Sequence, residues 1–218
     1  MEVNVSAYRD IKKYLDEQKV QLIAVSKTKP VSDILDLYNL GQRDFGENYV
    51  QELVDKATQL PKDIRWHFIG HLQTNKVKQI TPFVQLIHGV DSLKLLKEIN
   101  KQGGKAGRVI DCLLQVHIAQ EETKFGLDEE ELKLTLGEVK NSTMNNVRVC
   151  GLMGMASFSD DMDNNEFRVT YSNIGYGIYP AKFSLQGGKP VAVEIKSNDF
   201  VESDAYLFVK DPEGLIIR

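Results

Sequence analysis

Residues 21–41 read QLIAVSKTKPVSDILDLYNLG, and this stretch decides the fold. Leu22 to Val25 is a short apolar run, the pattern of a buried strand. It stops at Ser26, Lys27, Thr28, Lys29 and Pro30. Pro30 and Ser32 then open a helical pattern with Ile34, Leu35 and Leu37, and with Tyr38 close by, which Gly41 ends. The stretch is one strand–loop–helix unit, with two lysines at the mouth of the strand.

The same unit recurs along the chain. Val5, Tyr8, Ile11, Tyr14 and Leu15 fall near one face of a helix over 5–17. A strand around Asp44 and Phe45 leads through Gly46, Glu47 and Asn48 into a helix over about 49–58. Strand 64–69 ends in Gly70 and His71, and 73–80 reads as a helix. Strand 84–88 ends in Gly89, after which Asp91 or Ser92 caps a helix through Leu93, Leu95, Leu96 and Ile99. The nearly all-apolar run 109–118 is followed by the polar loop QEETKFG (120–126), a helix over 128–139 and a strand over 147–153. Strands alternating with helices in this way form parallel βα units with the helices outside. Six such strands precede residue 155. The predicted fold class is therefore α/β, a (β/α)8 TIM-barrel-like fold with about six βα units recognisable. Polar residues and glycines gather at the strand C-termini: Lys27, Gly46-Glu47-Asn48, Gly70-His71, Gly89 and Gly154. In a (β/α) barrel that rim is the site, whereas an open sheet would place its site at one crossover.

Near residue 156 the rhythm stops. Ser157 to Glu166 is polar and acidic. The segments 168–185 and 190–200 read as short strands, and AYLFVKDPEGLIIR (205–218) as a hairpin around Asp211-Pro212-Glu213-Gly214. The expected division is a barrel portion over 1–157 and a β-rich segment over 158–218. Six parallel strands alone would leave open edges and an exposed core, so the second part is expected to pack over the gap. It could close the barrel with antiparallel strands, be a rearranged end, or serve dimerisation.

Composition narrows the function. The chain has 218 residues, 42% hydrophobic and 27% charged, with a formal net charge of -4. That suits one α/β domain with or without an appendage, and it gives no global basic field for nucleic acid. No apolar run of about twenty residues suggests a membrane span. The N-terminal stretch mixes acidic and basic residues, unlike a secretory or transit peptide. The expected setting is the cytoplasm, with Cys112 and Cys150 as reduced core thiols.

Lys27 is the first chemical candidate. An amine at the end of an interior strand is partly dehydrated, which favours the neutral form that condenses with an aldehyde. A plain strand-end lysine has the same sequence. Lys29 lies where Pro30 turns the chain, and is expected to be solvated or ion-paired. Within WHFIG, Trp66 and Phe68 share one face and His67 takes the other. His67 could touch a bound ring or phosphate, or be a hydrogen-bonded structural histidine. Asn48 can donate and accept at the rim. The four histidines show no metal-ligand spacing, and no GxGxxG, GxxxxGK[ST] or GxSxG motif occurs.

The segments AVSKTKP (24–30), GQRDFGENYVQEL (41–53), WHFIGHLQTNK (66–76), HGVDS (88–92), LLQVHIAQEETKFG (113–126) and RVCGLMGMA (148–156) together resemble the pyridoxal phosphate homeostasis protein family. That family is similar to the N-terminal barrel of alanine racemase. The resemblance implies pyridoxal 5'-phosphate held as a Schiff base on Lys27, with Asn48, His67 and Met153 around it. It implies a role in vitamin B6 and amino-acid homeostasis without catalytic turnover. With the charge, apolar runs and histidine spacing above, the expectation is no metal, no nucleic-acid or membrane partner, and a monomer or homodimer. The family's seventh and eighth strands, which grip the phosphate and supply an arginine near the pyridine nitrogen, have no counterpart after residue 157. Two other outcomes follow from that departure. One is a barrel remnant with weak or no cofactor binding, acting as a structural or interaction protein. The other is a racemase-type enzyme, which would need a second acid or base opposite Lys27, for which Tyr171, Tyr176 and Tyr179 are the tail candidates.

Overall fold

The structure is a computed structural model. It describes residues 3–17, 21–117, 125–141 and 144–154, together with the backbone of strands at 167–173, 177–186, 189–195, 206–210 and 216–217. The predicted loop at 120–124, the acidic stretch 157–166 and the turn 211–214 lie outside the described residues, as do the side chains of the three tail tyrosines.

Helix α1 (Val5–Glu17) precedes strand β1 (Ala24–Val25), helix α2 (Val31–Asn39), strand β2 (Asp44–Glu47) and helix α3 (Val50–Gln59). Strand β3 (Arg65–Phe68) leads into a 3-10 turn at Thr74–Lys76 and helix α4 (Val77–Ile80). Strand β4 (Val84–Val90), helix α5 (Leu93–Ala106), strand β5 (Ile110–Val116), helix α6 (Glu129–Asn141) and strand β6 (Val147–Gly154) complete the series. Strands β1 to β6 pair in sequence order, each parallel to the next. Of the two residues expected to cap α5, it is Ser92 that does so, its Oγ accepting from the Leu95 amide at 3.3 Å.

Strand alternation separates two apolar layers. Phe45, Trp66, Phe68, Ile87, Cys112 and Leu114 face the helices and join Leu53, Leu96 and Ile99 in the larger core. Their opposite-parity neighbours Ile23, Ile69, Leu86, Leu113 and Met153 form a second cluster on the inner face. A sheet covered on both faces explains why these strands read as nearly continuous apolar runs. Cys112 is fully buried, whereas Cys150 is only partly so.

The described residues of the last third lie in strands. Strands β7 (Phe167–Asn173), β8 (Gly177–Gln186) and β9 (Lys189–Ile195) form a separate antiparallel sheet. Strand β10 (Tyr206–Lys210) lies parallel to β6, with Phe208 opposite Met153, and β11 (Ile216–Ile217) turns back antiparallel to it. Closure by antiparallel strands was one expectation; β10 pairs with β6 in parallel instead, while the hairpin pairing of β10 with β11 is antiparallel, as read from 205–218. A parallel neighbour requires a long crossover, and β7 to β9 occupy that crossover.

Gly137 lies in α6 with open space where a Cβ would stand. Gly137→Ala is expected to stabilise the fold by up to about 1 kcal/mol, read as a higher urea midpoint with an unchanged slope.

Candidate functional site

The first rim element is the loop after β1. Ile23 belongs to the inner cluster and Val25 packs against it, and Lys27 follows in the turn that ends the strand, closed by the Lys29 N–H donating to the Ser26 carbonyl at 3.1 Å. Lys27 is half-buried, and among the described residues its Nζ has no hydrogen-bond or ion-pair partner. Lys29 is exposed. Ser26 is buried; its N–H donates to the Gly46 carbonyl at 2.9 Å and its Oγ to Glu47 Oε1 at 2.6 Å. Thr28 has a positive φ of 61° and donates its N–H to Glu52 Oε1 at 2.6 Å.

Beneath this loop sits Lys56, a lysine only 5% exposed. Its Nζ donates to the Ser26 carbonyl, to Glu47 Oε1 and to Glu52 Oε1, each at 2.7 Å. Burial pushes the Glu47 carboxyl above its ordinary range, against the downward pull of Lys56 and Ser26. Sequence patterns place Glu47 at the rim without giving it a role, and do not single out Glu52 or Lys56. The one available signal is a glutamate four residues before a lysine on a predicted helix.

Asn48 follows β2 at the rim. Its Oδ1 is buried and has no hydrogen-bond partner among the described residues. A buried amide left unsatisfied costs about 1–3 kcal/mol, and such a group suits a bound polar ligand. The Asn48 backbone is fixed by Gly70, where a Cβ would stand 2.2 Å from the Asn48 carbonyl oxygen. Glycine is required there by close approach of two backbones.

His67 is 5% exposed and, as expected, lies on the face opposite Trp66 and Phe68, one layer below Ile69. Its Nδ1 lies 3.0 Å from His88 Nε2 and its Nε2 3.1 Å from Asp44 Oδ1. Arg65 makes a two-pronged ion pair to the same Asp44. Burial alone would raise the Asp44 carboxyl, but hydrogen bonds from Arg65 and His67 outweigh it and hold it well below the usual carboxylate range. His88 is pushed far below the ordinary imidazole value, first by burial and then by the charge of His67. Asp44 and His88 escape a reading of the sequence, because only the sheet register makes them neighbours of His67. Met153 lies in the inner cluster with Ile23 and Ile69. The structure thus sets His67 and Met153 on the inner face, and Lys27 and Asn48 at the ends of strands that border it.

The buried histidine gives a pH expectation. A group whose pKa is lower in the fold than in the unfolded chain supports folding above the unfolded value, near 6.5 for histidine, and that support is lost as pH falls. Stability should therefore drop by up to about 1.4 kcal/mol per pH unit below about 6.5, with Asp44 adding a further loss below about pH 4. Urea melts at pH 7.5, 6.5 and 5.5 check this; His88→Gln should flatten the upper part of the slope.

The family model described as alanine racemase, N-terminal domain, matches residues 6–173. The human pyridoxal phosphate homeostasis protein is 37% identical over 164 residues, covering 70% of this chain and 59% of the human one. The chain thus spans about three fifths of the length of that curated relative. The solved structure of PipY from Synechococcus elongatus with PLP bound is 35% identical, with a TM-score of 0.61 over 70% of this chain and 72% of that one. The Bartonella henselae alanine racemase with covalently bound pyridoxal phosphate, 16% identical, matches in fold with a TM-score of 0.51 over 72% of this chain and 43% of that one.

Proposed function

The chain belongs to the alanine racemase N-terminal domain family, on its pyridoxal phosphate homeostasis branch, and on that premise we propose that it holds pyridoxal 5'-phosphate as a Schiff base on Lys27 without catalytic turnover. The observation that carries this reading is the state of Lys27: a half-buried amine, unpaired among the described residues, at the end of a strand whose preceding residues face the inner cluster. Bound pyridoxal 5'-phosphate would supply an aldehyde, and Lys27 is the amine that would condense with it, with loss of water. Asn48 Oδ1, which has no hydrogen-bond partner among the described residues, is available to accept from the ligand, and Met153 offers an apolar wall. His67 spends both ring nitrogens on Asp44 and His88. It presents ring surface, which suits holding a cofactor better than moving a substrate proton.

Among the described residues no helix is long and apolar enough to cross a membrane, and we read the chain as a cytoplasmic monomer or homodimer in vitamin B6 and amino-acid homeostasis. We place the boundary between barrel portion and tail near residue 157. A second reading, a barrel remnant with weak or no binding, draws on the missing phosphate-gripping segments, since oriented N–H groups around a phosphate supply much of such an affinity.

The test is a spectroscopic titration with pyridoxal 5'-phosphate, followed by borohydride reduction and peptide mapping. A saturable visible band and a reduced adduct at Lys27 are expected. Folded protein that takes up no adduct would transfer the case to the remnant reading. Steady racemisation of alanine would overturn the absence of turnover.

A further inference from the structure

We propose that Lys56, acting with Glu52, is the positioning residue of the anchor lysine, an inference that rests on the assignment of Lys27 just made. The two backbone groups that flank Lys27 are the carbonyl of Ser26 and the N–H of Thr28. Lys56 Nζ donates to the first at 2.7 Å, and Glu52 Oε1 accepts from the second at 2.6 Å. Lys56 also donates to that same Glu52 oxygen, so one ion pair grips the chain on both sides of Lys27. Its third donor goes to Glu47 Oε1, which also accepts from Ser26 Oγ. All three ammonium donors are spent on the loop or on the residues that hold it.

Two facts set this apart from ordinary core packing. First, Thr28 is β-branched and sits at a φ of 61°. A non-glycine residue in that region is strained, and persists where its surroundings over-determine it. Two bonds restrain it: the turn bond from the Lys29 N–H to the Ser26 carbonyl at 3.1 Å, and the bond to Glu52, which directs the peptide that leaves Lys27. Second, a buried ion pair is seldom a source of net stability, and apolar side chains of similar volume often serve the fold as well. An apolar chain at position 56 would fill the space between α3 and β2, but it would leave the Ser26 carbonyl and the Glu52 carboxylate without their shared donor. Glu52 and Lys56 stand one turn apart on α3, so the helix presents a preformed two-charge clamp to the β1–α2 loop. The clamp fixes where the amine starts, and fixed placement accelerates bond formation by removing alternative loop states.

Four proteins decide the matter: the parent, Glu52→Ala, Glu52→Gln, and the double variant Glu47→Gln with Lys56→Met, which removes both charges of the buried pair together. Amide exchange at Thr28 is measured without cofactor, along with labelling of Lys27 by an amine-acylating reagent. The rate of borohydride-trapped capture of pyridoxal 5'-phosphate is measured separately. In Glu52→Ala and the double variant, Thr28 exchange should quicken at least tenfold and capture should slow about tenfold, with melting temperatures near the parent's. Glu52→Gln, which keeps an acceptor for the Thr28 amide, should restore both. Unchanged Thr28 exchange and unchanged Lys27 reactivity in folded Glu52→Ala and in the folded double variant would overturn the proposal. Should the double variant fail to fold, Glu52→Ala and its glutamine rescue still separate the two outcomes. If the parent itself captures no cofactor, the assignment of Lys27 fails, while Thr28 exchange and Lys27 acylation still show whether the clamp positions the loop.

Discussion

Lys27→Ala is expected to abolish the borohydride-trapped adduct while leaving the fold within about 0.5 kcal/mol of the parent, as for a surface substitution away from packing or paired charges. The asymmetry follows from the environment of the side chain. Lys27 has no hydrogen-bond or ion-pair partner among the described residues, and its neighbours Ser26 and Thr28 are held through their own atoms. Removing its amine therefore breaks no hydrogen bond or ion pair that supports the loop among the described residues. Loss of the covalent link should be complete, leaving whatever weaker association the pocket retains. Lys29, exposed two residues on, provides the control. Lys29→Ala should capture the cofactor as the parent does. An adduct that survives in Lys27→Ala and maps to Lys29 would show that the anchor is the other amine. Melting and trapping are measured on the same preparations, so a misfolded variant cannot pass for an inactive one.

Gly70→Ala carries the second large effect. The new methyl would lie 2.2 Å from the Asn48 carbonyl oxygen, 2.8 Å from its Cα and 2.9 Å from its carbonyl carbon. All three are backbone atoms, so no rotamer change relieves the overlap, and the ends of β2 and β3 must part. Overpacking of this kind costs about 3 kcal/mol, a large fraction of a total stability of about 5–15 kcal/mol. Because the displaced residue is Asn48, cofactor capture should weaken at least tenfold in whatever fraction remains folded. The opposite sign expected for Gly137→Ala makes the pair a test of local geometry against composition. A Gly70→Ala protein with the parent's urea midpoint would show that the two strand ends yield freely.

Helix and strand placement was legible because each apolar run has a period that only one element satisfies. Ala24–Val25 and Arg65–Phe68 fall inside predicted strands, and Val31–Asn39 and Leu93–Ala106 follow the predicted starts. Alternation around Trp66, His67 and Phe68 was enough to separate the helix-facing side from the inner one. The motifs were enough to nominate Lys27, Asn48, His67 and Met153, since a side chain's chemical type is written in the sequence. The partners of those residues were another matter. Asp44 and His88 reach His67 from strands 23 and 21 residues away in sequence. Lys56 reaches Ser26 across 30 residues. The sequence by itself determined which segments form βα units and which side chains are candidates for the chemistry, because periodicity and residue type are local properties. Tertiary structure alone decided that β10 runs parallel beside β6, that His67 has both ring nitrogens engaged, and that the loop carrying Lys27 is gripped by a buried ammonium. Each of these depends on which strands and helices become neighbours, and a hydrogen bond or an ion pair acts over a few ångströms of space regardless of the length of chain between its partners.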